Sequence, residues 1–258
     1  MDILVTNDDG AHAPGLWALV RALRPLGNIV VCAPDRDRSG VGPALSVNEL
    51  VRAKELVSPV DGVPVYAVEG TPGDAAVLGL RRFAPGPVAV AVSGINPGSN
   101  VGEDVIISGT LGAAVHTYMN GVPTLAVSVA GDTDPADPLV AGVARQVVAA
   151  MAELRSPLFV NLNFPELPLG PVKGVLRTAV AARFLEDGVD SLQRGYRTYF
   201  WLLRRGGRSV DSTEKDTDVW AVRNGYISLS ALHPEFAGDD TGSRVDALVE
   251  VARRAIRV

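Results

Sequence analysis

Val88-Ala89-Val90-Ala91-Val92, running straight into Ser93-Gly94-Ile95-Asn96-Pro97-Gly98-Ser99-Asn100, is the stretch on which the fold turns. Five apolar residues in a row suit a strand covered on both faces, because a strand with one wet face would alternate. The polar, glycine-rich continuation then leaves the carboxyl end of that strand. The same arrangement recurs upstream. Ile3-Leu4-Val5 leads into Asn7-Asp8-Asp9-Gly10, and Ile29-Val30-Val31-Cys32-Ala33 ends at Pro34 before Asp35-Arg36-Asp37-Arg38-Ser39-Gly40. Val63 to Val68 (VPVYAV), Leu125 to Val129 (LAVSV) and Leu158 to Leu162 (LFVNL) are further strands.

Helix-period segments separate these runs: Gly15 to Leu26, about Leu111 to Met119, and about Pro138 to Leu154. Thr71-Pro72-Gly73-Asp74 reads as a helix start, with Thr71 as N-cap, Pro72 at the first helical position and Asp74 closing the cap rather than serving a site. Buried strands alternating with helices predict an α/β fold, a Rossmann-like, doubly wound, mostly parallel sheet.

After Phe164-Pro165 the pattern changes. Tyr196 to Leu203 (YRTYFWLL), a turn at Arg204–Arg208 and Ser209-Val210 read as a β-hairpin. Its aromatic residues Tyr196, Tyr199, Phe200 and Trp201 crowd into a short stretch of an aromatic-poor chain, which favours an arm packing on a partner over a core element. Asp218 to Leu232 reads as strand, and Arg244 to Ile256 as a terminal helix. The expected division is a catalytic core over residues 1–165 and a C-terminal β-hairpin extension over residues 166–258, packed on the same domain.

Composition narrows the function classes. The 258 residues are 47% hydrophobic and 21% charged, with a formal net charge of −5. That is a globular composition, and the acidic balance argues against a stable nucleic-acid complex or binding to an anionic membrane. No uncharged apolar stretch is long enough to span a bilayer, and the opening MDILVTNDDG lacks a basic n-region and an apolar h-region. The lone cysteine, Cys32, forms no disulfide within the chain and reads as a small buried hydrophobe; the expected location is cytoplasmic.

Ligands of open parallel sheets bind outside the carboxyl ends of the strands. Three loops there carry chemistry: those holding Asp8-Asp9, Asp35 to Gly40, and Ser93 to Asn100. Adjacent carboxylates at the end of a buried strand repel and are poorly solvated unless a cation lies between them. The alternative is a turn with a helix cap. Carboxylate, hydroxyl and carboxamide oxygens form a hard donor set suited to Mg²⁺ or Mn²⁺. One cysteine and three scattered histidines do not make a zinc site. His12, near the carboxylate pair, is either a proton donor or a solvent-facing loop residue. Ser108-Gly109-Thr110 precedes a helix, so backbone N–H groups there could face an anion, or Thr110 could simply cap. Neither the P-loop pattern nor G-x-G-x-x-G occurs.

At these residues the chain resembles the SurE family, the stationary-phase survival proteins that act as 5′/3′-nucleotidases. The matching segments are ILVTNDDG with Ala13-Pro14-Gly15, APDRDRSGVG, PVYAVEGTPGD, VSGINPGSNVGEDVIISGTLGAA, VNLNFP and TDVWAVRNGYISLSAL, in order from residue 3 to about 232. The resemblance implies hydrolysis of nucleoside 5′- and 3′-monophosphates and a homodimer or homotetramer built through the extension. It also implies one divalent metal ion (Mg²⁺ or Mn²⁺) per subunit, held by Asp8, Asp9, Ser39 and Asn96. Asp8 and Asp9 would be catalytic, and Gly40, Ser108, Gly109 and Thr110 would line the phosphate site. Pro43 and His116 depart from the family's usual residues. Two other readings compete. Asp35-Arg36-Asp37 superficially resembles the Asp-x-Asp of haloacid-dehalogenase phosphatases, and a non-catalytic nucleotide-binding module would need the phosphate loop alone.

Overall fold

The computed structural model describes residues 1–154, 156–167, 171–182, 185–206 and 214–234. Among them, nine strands form one sheet in the order β3-β4-β2-β1-β5-β6-β7-β11-β8, and two form a separate hairpin. The strands are β1 (Asp2–Thr6), β2 (Asn28–Pro34), β3 (Ala53–Leu56), β4 (Val65–Val68), β5 (Val88–Pro97), β6 (Thr124–Val129), β7 (Phe159–Phe164), β8 (Val175–Arg177), β9 (Leu185–Arg194), β10 (Arg197–Gly206) and β11 (Ile227–Leu232). The helices are α1 (Pro14–Leu23), α2 (Pro72–Leu78), α3 (Asp104–Ile107), α4 (Gly109–Met119), α5 (Pro138–Met151) and α6 (Asp218–Arg223).

The ladders β4-β2-β1-β5-β6-β7 are all parallel, while β3 on β4 and β11 on β7 are antiparallel. Alternate residues of each central strand enter opposite faces of the sheet. Ile3, Val5 and Val31 join the cluster that buries Leu16, Leu19 and Val20 of α1 and Val140, Ala144 and Val148 of α5. Leu4, Val30 and Cys32 face Ala75 of α2. With both faces covered, β6 and β7 are buried throughout, which is why they read as continuous apolar runs.

The chain leaves β1 toward β2 and β4, then returns to the other side of β1 with β5. The carboxyl ends of β1 and β5 therefore meet where the winding direction reverses, the place where such sheets bind ligands.

Local caps agree with the sequence. Thr71 and Asp74 close a reciprocal cap on α2: Asp74 N–H donates to Thr71 Oγ1 at 3.0 Å, and Thr71 N–H donates to Asp74 Oδ2 at 2.8 Å. Asp74 also accepts from the backbone N–H and hydroxyl of Ser46. These bonds outweigh burial, which alone would raise its pKa, and hold the carboxyl below its ordinary value.

Three expectations need correction. The hairpin turn lies at Gly195-Tyr196, not at Arg204–Arg208: Arg194 pairs with Arg197, and β10 runs on to Gly206. Gly195 has φ +60°, the conformation that a two-residue loop with glycine in first place requires. The aromatic run is thus the second strand, and Leu185–Arg194 is the first. Next, Asp218–Arg223 is a helix rather than a strand, because Thr217 caps it by accepting from Trp220 N–H. Finally, β5 continues through Asn96, which pairs with Ser128 after a register irregularity. The expected strand at Ser209-Val210 and helix at Arg244–Ile256 lie outside the described residues.

Candidate active site at the carboxyl ends of β1 and β5

The turn after β1 closes on Asn7, whose side chain donates to Gly10 O at 3.0 Å and accepts from Gly10 N–H at 3.2 Å. Asp8 and Asp9 are not needed to make that turn. Neither caps α1, whose N-cap is Ala13 with no side-chain bond. The alternative reading of the pair as turn and cap is therefore met by other residues.

Asp8 is 3% exposed. Thr110 Oγ1 donates to its Oδ1 at 2.5 Å, and Arg38 N–H donates to its backbone oxygen at 2.9 Å. Burial raises the Asp8 pKa, and the bonds from Thr110 oppose that rise only in part. Asp9 is pushed up to about 7, first by burial and then by the like charges of Asp8 and Asp37. Its Oδ2 is buried and has no hydrogen-bond partner. Two neighbouring carboxyl groups, both shifted against ionisation, mark a place where negative charge is in excess.

The loop after β2 is built by Asp37. Its Oδ1 accepts from both the backbone N–H and the hydroxyl of Ser39, at 2.7 and 2.6 Å. Asp35 instead forms an ion pair with Arg38 at 3.7 Å. The Asp-x-Asp element is thus occupied in shaping its own loop. Gly40 has φ +77°, and its Cα faces open space.

A cleft of about 200 Å³ is lined by Asp8, Ser39, Gly40, Asn96, Asn100, Asp104, Ile107 and Ser108, with Pro97. Ser39, Gly40, Asn96 and Ser108, all expected from the sequence, therefore share one cleft with Asp8. Asp9 sits beside Asp8 without lining it. Gly109 packs under Asp8, where an added Cβ would come within 2.7 Å of Asp8 Cβ and 2.8 Å of Oδ2. Thr110 is fully buried behind Asp8 and serves it as a donor. His12 is not brought to the cleft; it lines a separate cavity of about 480 Å³ with Trp17, Arg21 and Leu56. That cavity is larger, but the converging oxygen donors are at the smaller one.

Asn100 and Asp104 were not singled out by the sequence reading. Asn100 is held by an amide network: its N–H donates to Asn163 Oδ1 at 2.8 Å, its carbonyl accepts from Asn161 Nδ2 at 2.8 Å, and its Nδ2 donates to Ser128 Oγ at 2.8 Å. Polar residues inside an otherwise apolar strand, Asn161 and Asn163 in β7, were the available signal.

The described residues hold no cluster of three or more His, Cys, Asp or Glu side chains placed for a metal. The donor set here is different: two carboxylates, a hydroxyl and a carboxamide. Asn96 Nδ2 donates to Gly98 O at 2.7 Å, which leaves its Oδ1 as the atom available to a cation. Ser39 spends its proton on Asp37 and keeps its lone pairs. With the orphaned Asp9 Oδ2, these residues fit a hard divalent cation.

Residues 3–187 match the family model described as survival protein SurE. A protein of Dehalococcoides mccartyi named 5′-nucleotidase SurE is 41% identical over 239 residues, covering 90% of this chain and 89% of its own. One from Geobacter sulfurreducens with the same name is 38% identical, covering 90% and 88%. The crystal structure of the SurE protein from Aquifex aeolicus superposes with a TM-score of 0.79 at 30% identity, over 96% of this chain and 99% of its own.

Proposed function

The chain belongs to the SurE family, and from that premise we propose that it is a 5′-nucleotidase, a phosphatase that hydrolyses nucleoside 5′- and 3′-monophosphates with a divalent cation. The observation that carries the reading is the adjacent carboxyl groups of Asp8, buried, and Asp9, half-buried, both shifted against ionisation, with Asp8 lining a cleft that also presents Ser39 and Asn96. A non-catalytic nucleotide-binding module has no use for such a pair.

In this proposal Asp8, Asp9, Ser39 and Asn96 hold one Mg²⁺ or Mn²⁺ per subunit. When bound, such an ion supplies Lewis-acid polarisation of a phosphoryl oxygen and neutralises the charge gathered there. The protein residues do the remainder. Gly40, whose left-handed backbone leaves open space above it, and Gly109, the first residue of α4, offer backbone N–H groups to the phosphate, while Ser108, whose own N–H is taken by Asp104 O, caps the helix there. Thr110 fixes the rotamer of Asp8 and keeps its charge directed at the cleft. The carboxylate pair, reaching the cleft through Asp8, orients the water that attacks phosphorus. As the bond from the water oxygen to phosphorus forms, the bond to the nucleoside oxygen breaks and one proton of the water passes to that departing oxygen, yielding nucleoside and inorganic phosphate.

The proposed catalytic core is residues 1–165 and the extension 166–258. β8 and β11 lie beyond residue 165 yet complete the main sheet, which supports an extension packed on the same domain. The hairpin is the proposed dimer arm, within a homodimer or homotetramer. Tyr199 and Trp201 alternate with Phe200 and Leu202, so both faces of β10 carry exposed apolar side chains. Among the described residues no helix is long and apolar enough to cross a membrane. Buried, unpaired Cys32 supports a cytoplasmic location.

Phosphate release from AMP tests the assignment. It should stop on addition of EDTA and return with excess Mn²⁺. Full turnover by rigorously metal-stripped protein would overturn the mechanism, and a panel in which only sugar phosphates are cleaved would overturn the substrate class.

A further inference from the structure

Asp218 is fully buried at the start of α6, and three backbone amides converge on its carboxylate. Oδ2 accepts from Gly102 N–H at 2.9 Å; Oδ1 accepts from Ala181 N–H at 2.9 Å and from Val219 N–H at 2.8 Å. Gly102 belongs to the turn between β5 and α3, between Asn100 and Asp104 of the cleft wall. Ala181 lies on the segment leading from β8 to the hairpin. Around the carboxylate, Val101, Val219 and Val222 form an apolar cluster with Ala130 and Ala181 packed against it.

A buried carboxylate is a costly way to start a six-residue helix, and α6 has no need of it. Thr217 already caps the helix through Trp220 N–H. What Asp218 adds is reach: it joins two backbone segments that are far apart in the chain. The amide network of Asn163 and Asn161 clamps Asn100 from the β7 side, and Asp218 clamps Gly102 two residues later.

We propose that Asp218 is a positioning residue for the phosphatase reaction. It fixes the Val101-Gly102 turn, and with it the cleft wall of Asn100 and Asp104, to the root of the β9–β10 hairpin. It touches neither substrate nor cation. The rate arm of its test rests on the nucleotidase reading; the exchange arm does not.

Asp218→Asn keeps size but replaces one acceptor oxygen by an NH₂ group, so either Gly102 or Ala181 faces a donor instead of an acceptor. Displacement of the cleft wall should lower kcat for AMP at saturating Mn²⁺ on the order of ten- to a hundredfold, with KM changed far less. Thr217→Ala is the control. It removes a cap from the same helix and should lower Tm, while leaving kcat within about twofold, because the Gly102 bond survives. A folded Asp218→Asn protein with the wild-type kcat, or with the kcat of Thr217→Ala, would overturn the proposal.

Amide hydrogen exchange on the wild-type chain needs no variant. The Gly102, Ala181 and Val219 amides should open as one cooperative unit. Gly102 exchanging independently of Ala181 would overturn the anchoring even if Asp218→Asn failed to fold. No phosphate release by the wild type would instead overturn the nucleotidase reading, a result the exchange measurement keeps distinct.

Discussion

Thr110 Oγ1 reaches Asp8 Oδ1 at 2.5 Å from the first turn of α4, with both residues buried. A helix start that faces the cleft thus also secures one of its carboxylates. Thr110→Val preserves shape and removes only the hydroxyl, leaving Asp8 with a buried oxygen short of its donor. A hydrogen bond to a charged group contributes about 1.5–3 kcal/mol, so kcat/KM should fall roughly tenfold or more, whereas Thr110→Ser should keep most activity. Steady-state kinetics with thermal melts would check this; undiminished kcat/KM in Thr110→Val would contradict it.

The metal-free protein should become less stable as pH rises. Burial, reinforced by Asp8 and Asp37, pushes Asp9 up to about 7, above the ordinary carboxyl value it regains on unfolding. Between those two values the folded state binds more protons than the unfolded state, so stability is lost as pH climbs from about 4 to about 7 and levels off above that. Asp8 and Asp218 are also raised and act in the same direction. Melting curves in EDTA from pH 5 to 8 should show a falling Tm, restored by Mn²⁺ and flattened by Asp9→Asn. A Tm that rises over this range in EDTA would contradict the electrostatic account.

The hairpin should hold copies of the chain together. A two-stranded hairpin is marginal alone in water, and Tyr196, Phe200, Trp201 and Leu202 are each more than two-thirds exposed. Sedimentation at micromolar concentration should give a dimer or tetramer, and Phe200→Asp should shift it toward monomer. A monodisperse wild-type monomer would contradict the arm.

Much of the fold was legible because β1, β2, β5, β6 and β7 are buried on both faces and advertise it as apolar runs. β3 was not: Ala53-Lys54-Glu55-Leu56 is an edge strand with its two charged residues exposed, so no hydrophobic pattern marks it. β9 has few strand-forming residues, and its state follows from pairing with β10 rather than from propensity. The candidate cleft followed from the switch-point rule, since Asp8, Ser39 and Asn96, which the fold brings to one cleft, are near neighbours of apolar runs. Asp218 was hidden, because its role depends on Gly102, 116 residues away in the chain. His116 and Pro43, noted as departures from the family pattern, touch each other: His116 Nε2 lies 2.9 Å from Pro43 O, a contact between α4 and the loop after Gly40 that their sequence separation concealed.

The central claim is that Asp8 and Asp9 carry the chemistry while Asp37 supports it, and kcat/KM for AMP in Asp9→Asn and Asp37→Asn at saturating Mn²⁺ tests it most directly. The Asp9→Asn change keeps the shape of the turn but removes a charge from the proposed cation site. Loss of one well-placed electrostatic group costs about 3–4 kcal/mol, on the order of a hundred- to a thousandfold in rate. The carboxamide introduced by Asp37→Asn retains a carbonyl oxygen that can accept from Ser39, so the loss there should be much smaller. Folded Asp9→Asn losing at least about a hundredfold, with Asp37→Asn within about tenfold of wild type, is the predicted result. Near-wild-type activity in Asp9→Asn, or the reverse order with Asp37 essential, would contradict the account.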